Sequence, residues 1–240
     1  MSKIVWGSKK EYQSGCNKAV LYMYEGGDYL HGVAWDGITD MSRETKGGEI
    51  DALYSGGIRV RNLFTQMEYG FSITCYSYPE EFEPCIGETE IVSGMIVEQQ
   101  ERAMFGVSYQ TQISNMFEPD AGYYIHLVYG CMVASYDYEN KTINSSPEPV
   151  EFTFDVETIP SIPSDFEGLN AIAHVKINST KTDPERLAML LDILYGTDEE
   201  DPRMPLPDEV AEILSGTSAN DMLYPGTNMY PDNNVIPIGS

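Results

Sequence analysis

Three histidines, four cysteines and 38 acidic residues are the groups in this 240-residue sequence able to hold a metal, attack a substrate or move a proton. A metal centre needs His, Cys or carboxylate at short spacing. His31, His126 and His174 stand far apart, each in a strand-like segment, and read as core or surface histidines. Cys16, Cys75, Cys85 and Cys131 are too widely spaced for a CxxC redox or zinc motif, and a chain of this length needs no disulfide framework, so four free thiols are expected. Carboxylate pairs such as Glu80/Glu81 and Glu151/Asp155 have the make-up of an acid/base pair at a glycoside. Among so many acids such pairs carry little information, and the burial that would raise a general acid's pKa is not visible in sequence. No GxSxG, HExxH, GxGxxG or Walker pattern occurs, and Gly26-Gly27, Gly47-Gly48 and Gly56-Gly57 read as turns rather than phosphate cradles. The expectation is a protein that is not an enzyme and has no cofactor and no metal.

The charge balance says more. Against 38 Asp and Glu stand 14 Lys and Arg, a net charge of −24. A protein that grips phosphate needs a basic face to release counterions, so a conventional nucleic-acid binder is excluded. Basic residues cluster only near the start, at Lys3, Lys9, Lys10 and Lys18. No stretch reaches the roughly 20 apolar residues of a membrane span. Met1 to Lys18 lacks the apolar core of a signal peptide, so synthesis in a cytosol-like compartment is expected, and the sequons at Asn140, Asn144 and Asn178 read as chance.

The elements that must position these charges are mainly strands. Residues 1–18 are polar and basic and read as an N-terminal arm. Residues 19–35 give two apolar runs around Glu25-Gly26-Gly27-Asp28, a hairpin pattern. Residues 39–55 are polar, charged and weakly periodic, and read as a long loop that is functional or orders on a partner. Strands are expected at 57–64, 68–78, 104–113, 123–136, 149–160 and 170–177, with one or two helical turns near EEFEPC and a Pro/Gly loop at 161–168. The 149–160 segment alternates most cleanly: Val150, Phe152, Phe154 and Val156 share one face, and Glu151, Thr153, Asp155 and Glu157 the other. Arg59 and Arg61 alternate with Ile58 and Val60, a pattern that suits pairing with acids across the strand or between subunits. Asp183 and Pro184 open a helix over 183–195 that Gly196 closes, and a shorter one covers 207–214. Residues 215–240 read as a C-terminal tail, leaving 19–214 as the β domain.

Several segments, in order, resemble the major tail tube protein of long-tailed, non-contractile bacteriophages. They are GVAWDGIT (32–39), EYGFSITCYSYPEEFEPC (68–85), FGVSYQTQI (105–113), GYYIHLVYG (122–130), INSSPEPVEFTF (143–154), NSTKTDP (178–184), LDILYGTD (191–198) and RMPLPDEV (203–210). The resemblance implies a β-sandwich or barrel-like fold with one flanking helix, and six copies in a ring. The rings would stack head to tail into a tube that conducts genomic DNA during ejection. It also implies a place in the virion tail after synthesis in the host cytoplasm, tail tip and tail terminator proteins as partners, and no membrane insertion. Six copies would put −144 on each ring, and a negative bore lets a polyanion slide where a positive one would hold it. Glu151, Asp155 and Glu157 are the candidate bore residues. Candidate stacking contacts are Lys3, Lys9, Lys10 and Lys18 on the arm and Arg43, Lys46, Glu49 and Asp51 in the 39–55 segment. The alternative is a carbohydrate- or receptor-binding β-sandwich that uses the 17 tyrosines as stacking platforms.

Overall fold

The computed structural model describes residues 11–48, 50–64, 67–115, 118–140, 142, 149–161 and 170–216. The strands are β1 (Glu11–Glu25), β2 (Asp28–Ala34), β3 (Ile38–Gly47), β4 (Ile50–Ser55), β5 (Ile58–Phe64), β6 (Met67–Cys75), β7 (Thr89–Val92), β8 (Met95–Val97), β9 (Phe105–Asn115), β10 (Gly122–Tyr138), β11 (Phe152–Thr158) and β12 (His174–Asn178). The helices are the one-turn α1 (Glu83–Ile86), α2 (Pro184–Tyr195) and α3 (Pro207–Ser215). The molecule is mainly β, as expected, but two helices, α2 and α3, occupy its flank where the resemblance implies one.

The main sheet runs β2-β1-β9-β10-β11-β6-β3, antiparallel throughout, with β12 also paired to β10. β10 serves two partners in succession along one edge. Tyr124 to Val128 pair with β12, and Cys131 to Tyr138 pair with β11. Gly130 is where the partner changes. Its φ is +62°, which only glycine adopts without strain. Its N–H donates to the Tyr29 hydroxyl at 2.8 Å, and its carbonyl accepts from Ile159 N at 2.8 Å.

Period-2 alternation sends side chains to two separate cores. One face packs Leu21, Trp35, Ile73, Phe105, Phe154 and Val156 around Phe82, whose ring lies 4.4 Å from Trp35 and 5.0 Å from Phe154. The opposite face of β1, β9, β10 and β12 meets the helices through Tyr22, Leu127, Tyr129, Leu187, Leu190 and Leu194. Tyrosine hydroxyls pin that layer. Tyr22 donates to Leu194 O at 2.7 Å, and Tyr129 to Pro205 O at 2.9 Å. At the start of α2 the Asp183 carboxylate accepts from the Glu185 and Arg186 amides, a cap of the kind worth about 1 kcal/mol. Cys75, Cys85 and Cys131 are buried, Cys16 is half-buried, and all four are free thiols.

Two expectations need correction. Residues 39–55 are not a loop: β3 pairs with β6 from Ile38↔Cys75 to Gly47↔Met67, and β4 pairs with β5 from Ile50↔Phe64 to Ser55↔Ile58. The four strands make a long two-stranded ribbon whose outer part, β4–β5, leaves the main sheet and turns at Gly56-Gly57. β3 can be polar because one of its faces is solvated, and in the outer part, where Leu53, Tyr54, Ile58 and Val60 stay exposed, the backbone ladder rather than burial holds the strands. The arm is shorter than 1–18, because Glu11 to Lys18 belong to β1 and pair with β9, with bulges around Asn17. Lys3, Lys9 and Lys10 lie outside the described residues, as does the tail beyond 216. The connection after α1 holds the β7–β8 hairpin.

Candidate functional site

Residues directly opposite in antiparallel strands share a face, so register alone fixes what β10, β11, β6 and β3 present. Three rows cross these strands on the solvent side. They are Asp137–Thr153–Thr74–Asp40, Ser135–Asp155–Ser72–Ser42 and Met132–Glu157–Gly70–Glu44. The intervening rows lie on the core side: Tyr138–Phe152–Cys75–Ile38, Tyr136–Phe154–Ile73–Met41 and Val133–Val156–Phe71–Arg43, with Tyr138 and Arg43 exposed at the row ends. The outer rows thus combine five carboxylates with small hydroxyl residues and contain no Lys or Arg. Asp155 is half-buried and accepts from Ser135 Oγ at 2.8 Å, while Glu157 is exposed and Glu151 is exposed just ahead of β11. These rows are negative and offer a phosphate backbone no cation to pair with.

The candidate stacking residues do not gather in one place. Arg43 sits on the core-side row at the sheet edge, its guanidinium 5.0 Å over the Tyr69 ring. Lys46 pairs in register with Glu68 near the base of the ribbon, and Asp51 with Leu63 further out. Glu49 lies outside the described residues. Lys18 is exposed in β1 with a φ of +50°. Arg59 and Arg61 stand across the ribbon from Tyr54 and Leu53 rather than from acids.

The histidines that sequence separated are neighbours. β10 and β12 place His126 opposite Lys176, and His174, two residues earlier, becomes its diagonal neighbour on the same face. His126 Nδ1 lies 3.0 Å from His174 Nε2, and Thr111 Oγ1 lies 3.0 Å from His126 Nε2. Tyr109 stacks on His126 at 4.4 Å and Tyr69 on His174 at 4.9 Å. The rings line a cleft of about 500 Å³ together with Arg43, Lys176 and Cys16. Only the pairing register of two strands 48 residues apart makes this cluster, so no local spacing could have revealed it. Among the described residues no group of three or more His, Cys, Asp and Glu is placed to hold a metal ion.

Burial, then the neighbouring His174 and Lys176, lowers the His126 pKa to about 3; burial, then Arg43 and Lys176, lowers that of His174 to about 4. Both rings are therefore neutral at pH 7, and one donates to the other. Below the ordinary histidine value of about 6.5 the unfolded chain takes up protons that the folded chain refuses, so stability falls with pH down to about 4. Urea midpoints at pH 7 and pH 5 should therefore differ more for the wild type than for H126Q/H174Q. Equal differences would show that the pair does not govern the acid limb.

No protein-family model matches the chain, and no curated protein matches it in sequence. Among solved structures, one from the virion of a native gene transfer agent particle aligns with 59% of this chain and 91% of its own at 15% identity and a TM-score of 0.32. One from the anti-feeding prophage baseplate aligns with 74% of this chain and 97% of its own at 10% identity and a TM-score of 0.33. One from the sheath-tube complex of an extracellular contractile injection system covers 67% and 88% at 9% identity and a TM-score of 0.30. Likenesses this weak leave the function to be argued from the chain's own residues.

Proposed function

We propose that this chain is a structural protein of a phage-type tail, forming six-fold rings that stack into a hollow tube for DNA, of the long-tailed, non-contractile kind that its sequence resembles. The observation that carries the reading is the acidic, hydroxyl-lined outer face of β10-β11-β6-β3, a surface suited to letting a polyanion pass without holding it. The apolar interior rows immediately behind that face give it a rigid backing. The ribbon supplies a projecting element for the next ring, and a heterologous head-to-tail contact extends without closing. The lectin-like alternative loses part of its basis, since Tyr22, Tyr29 and Tyr129 are buried in the packing beneath the helices and spend their hydroxyls there.

Electron microscopy of the purified full chain at high concentration should show rings and rods. Because each subunit carries −24, added salt should promote assembly by shortening the Debye length to about 8 Å near physiological ionic strength. Monomers or small closed oligomers at every salt concentration would overturn the reading.

A further inference from the structure

The cleft of about 500 Å³ beside His126 and His174 reverses the charge balance of the chain. Its lining holds Arg43 of β3, Lys176 of β12 and a single carboxylate, Asp40, in a molecule where acids outnumber Lys and Arg by 38 to 14. The sheet curls far enough here for Tyr69 of β6 to stack on His174 at 4.9 Å, so β3 and β12, which do not pair, stand on different walls. Among the described residues neither Arg43 nor Lys176 is in an ion pair. The Asp40 charge bears on Cys16, whereas the fixed charges that bear on the rings are Lys176 for both and Arg43 for His174. Burial comes first in keeping the rings neutral, but these cations add to it, and the field within the cleft is positive.

Both cations keep donors in reserve. Lys176 Nζ lies 3.8 Å over the Tyr124 ring and donates to Gln13 Oε1 at 3.0 Å, which leaves two of its N–H groups. Arg43 covers the Tyr69 ring with the flat face of its guanidinium, and the N–H groups around the rim remain to donate. Beneath them Thr111 Oγ1, His126 and His174 form one hydrogen-bonded chain, with both contacts at 3.0 Å. His126 is buried while Arg43 and Lys176 are exposed, so a solute entering from the rim meets cations first and neutral hydrogen-bonding groups below. The volume falls within the range of about 300–1,000 Å³ typical of small-molecule sites.

We propose that this cleft binds a small molecule through a phosphate group, its oxygens held by Arg43 from one wall and Lys176 from the other, above the Thr111–His126–His174 chain. Phosphate oxygens accept charge-assisted hydrogen bonds from both cations, stronger than the neutral ones a water would make there. A nucleic-acid strand carries the same group but is not the occupant. It would have to lie along the surface of a chain with a net charge of −24, whereas a small anion inside the cleft responds to local charges, those beyond about 8 Å being screened at physiological ionic strength. The inference stands apart from the tube reading, because every residue of the site belongs to one chain.

The test is calorimetric titration of the purified full chain with pyrophosphate and with inorganic phosphate, at pH 7 and constant ionic strength. R43Q/K176Q and R59Q/R61Q each remove two cations and take the chain from −24 to −26, the first pair in the cleft and the second on the exposed ribbon. General repulsion alone predicts equal weakening by the two. The site predicts that R43Q/K176Q binds both probes at least about tenfold more weakly than wild type, the loss of two charge-assisted bonds. R59Q/R61Q should stay within about twofold of wild type, its positions being screened from the cleft. Should R43Q/K176Q fail to fold, K176Q alone, at an exposed position, should weaken binding at least about threefold. Equal weakening by the two double variants, unchanged binding by K176Q, or no saturable binding of either probe by wild type would overturn the proposal. A short single-stranded oligonucleotide binding more tightly than pyrophosphate would overturn it as well, by making a strand the occupant. Chains that bind phosphate but never form rods would end the tube reading and uphold this one.

Discussion

Tubes assembled from chains carrying E151K, D155K and E157K should retain DNA that wild-type tubes release. The three substitutions move each subunit by six charges, from −24 to −18, and a ring of six by 36. They place ammonium groups among Ser and Thr hydroxyls on rows that hold no Lys or Arg, so phosphates passing there meet cations instead of carboxylates. A ring engaging about six phosphates would bind with an affinity that falls about 10³-fold between roughly 50 and 200 mM salt. The measurement is DNA retention and ejection rate across that range. Unchanged passage at low salt through normally formed tubes would put this face on the outside. Asp155 is the most demanding of the three because its carboxylate accepts from Ser135. The double variant E151K/E157K, at exposed positions only, therefore serves as the check that any loss of tubes is not misfolding.

The largest stability effect is expected at Gly130. Alanine there must adopt a φ of +62°, and its Cβ would run into the Ile159 carbonyl, a backbone group that cannot swing away. That carbonyl belongs to the segment whose amide binds Gly130 O, so relief would break the strand exchange on β10. We expect G130A to lose roughly 3–5 kcal/mol, a fall in Tm of roughly 10 °C or more for a chain of this size. Gly26 provides the control, with a φ of +64° and open space around its Cβ position. G26A should lose only about 1 kcal/mol, the backbone term alone. Equal losses in thermal unfolding would show that strain, not collision, sets the cost at both sites.

Where the sequence was legible, one side chain in two was buried by a neighbour that the strand could not do without. β11 is the plainest instance. Phe152, Phe154 and Val156 pack inward while Thr153, Asp155 and Glu157 look out, so alternation survives in the residue types. The Asp183-Pro184 start and Gly196 end of α2 are equally local signals. Half of the ribbon, β5 and β6, was legible, while β3 and β4 were not, because their partners, not their own residues, make them strands. Asp40, Ser42 and Glu44 face solvent, and the residues between them include Arg43, which closes a hydrophobic row by lying over Tyr69. A bulge between Ile38 and Asp40 also shifts the phase before the pattern can repeat. The β7–β8 hairpin failed for the opposite reason: its Ile, Val and Met side chains are apolar but exposed, so they mark no inside. The paired histidines depend on how β12 registers against β10, information that exists only once the sheet has formed.

The thiols set one more property of the molecule. Burial pushes the Cys85 thiol up to about 12 and that of Cys75 up to about 11, and full enclosure raises Cys131 well above the ordinary thiol value. Even half-buried Cys16 is raised to about 11, by burial and then by Asp40. Thiolate is the reactive form, so at neutral pH these side chains offer oxidants and disulfides very little to attack. The fold neither draws strength from cross-links nor is exposed to unwanted ones. If the proposed tube forms, its walls would pass from a reducing interior to an oxidising medium without registering the change.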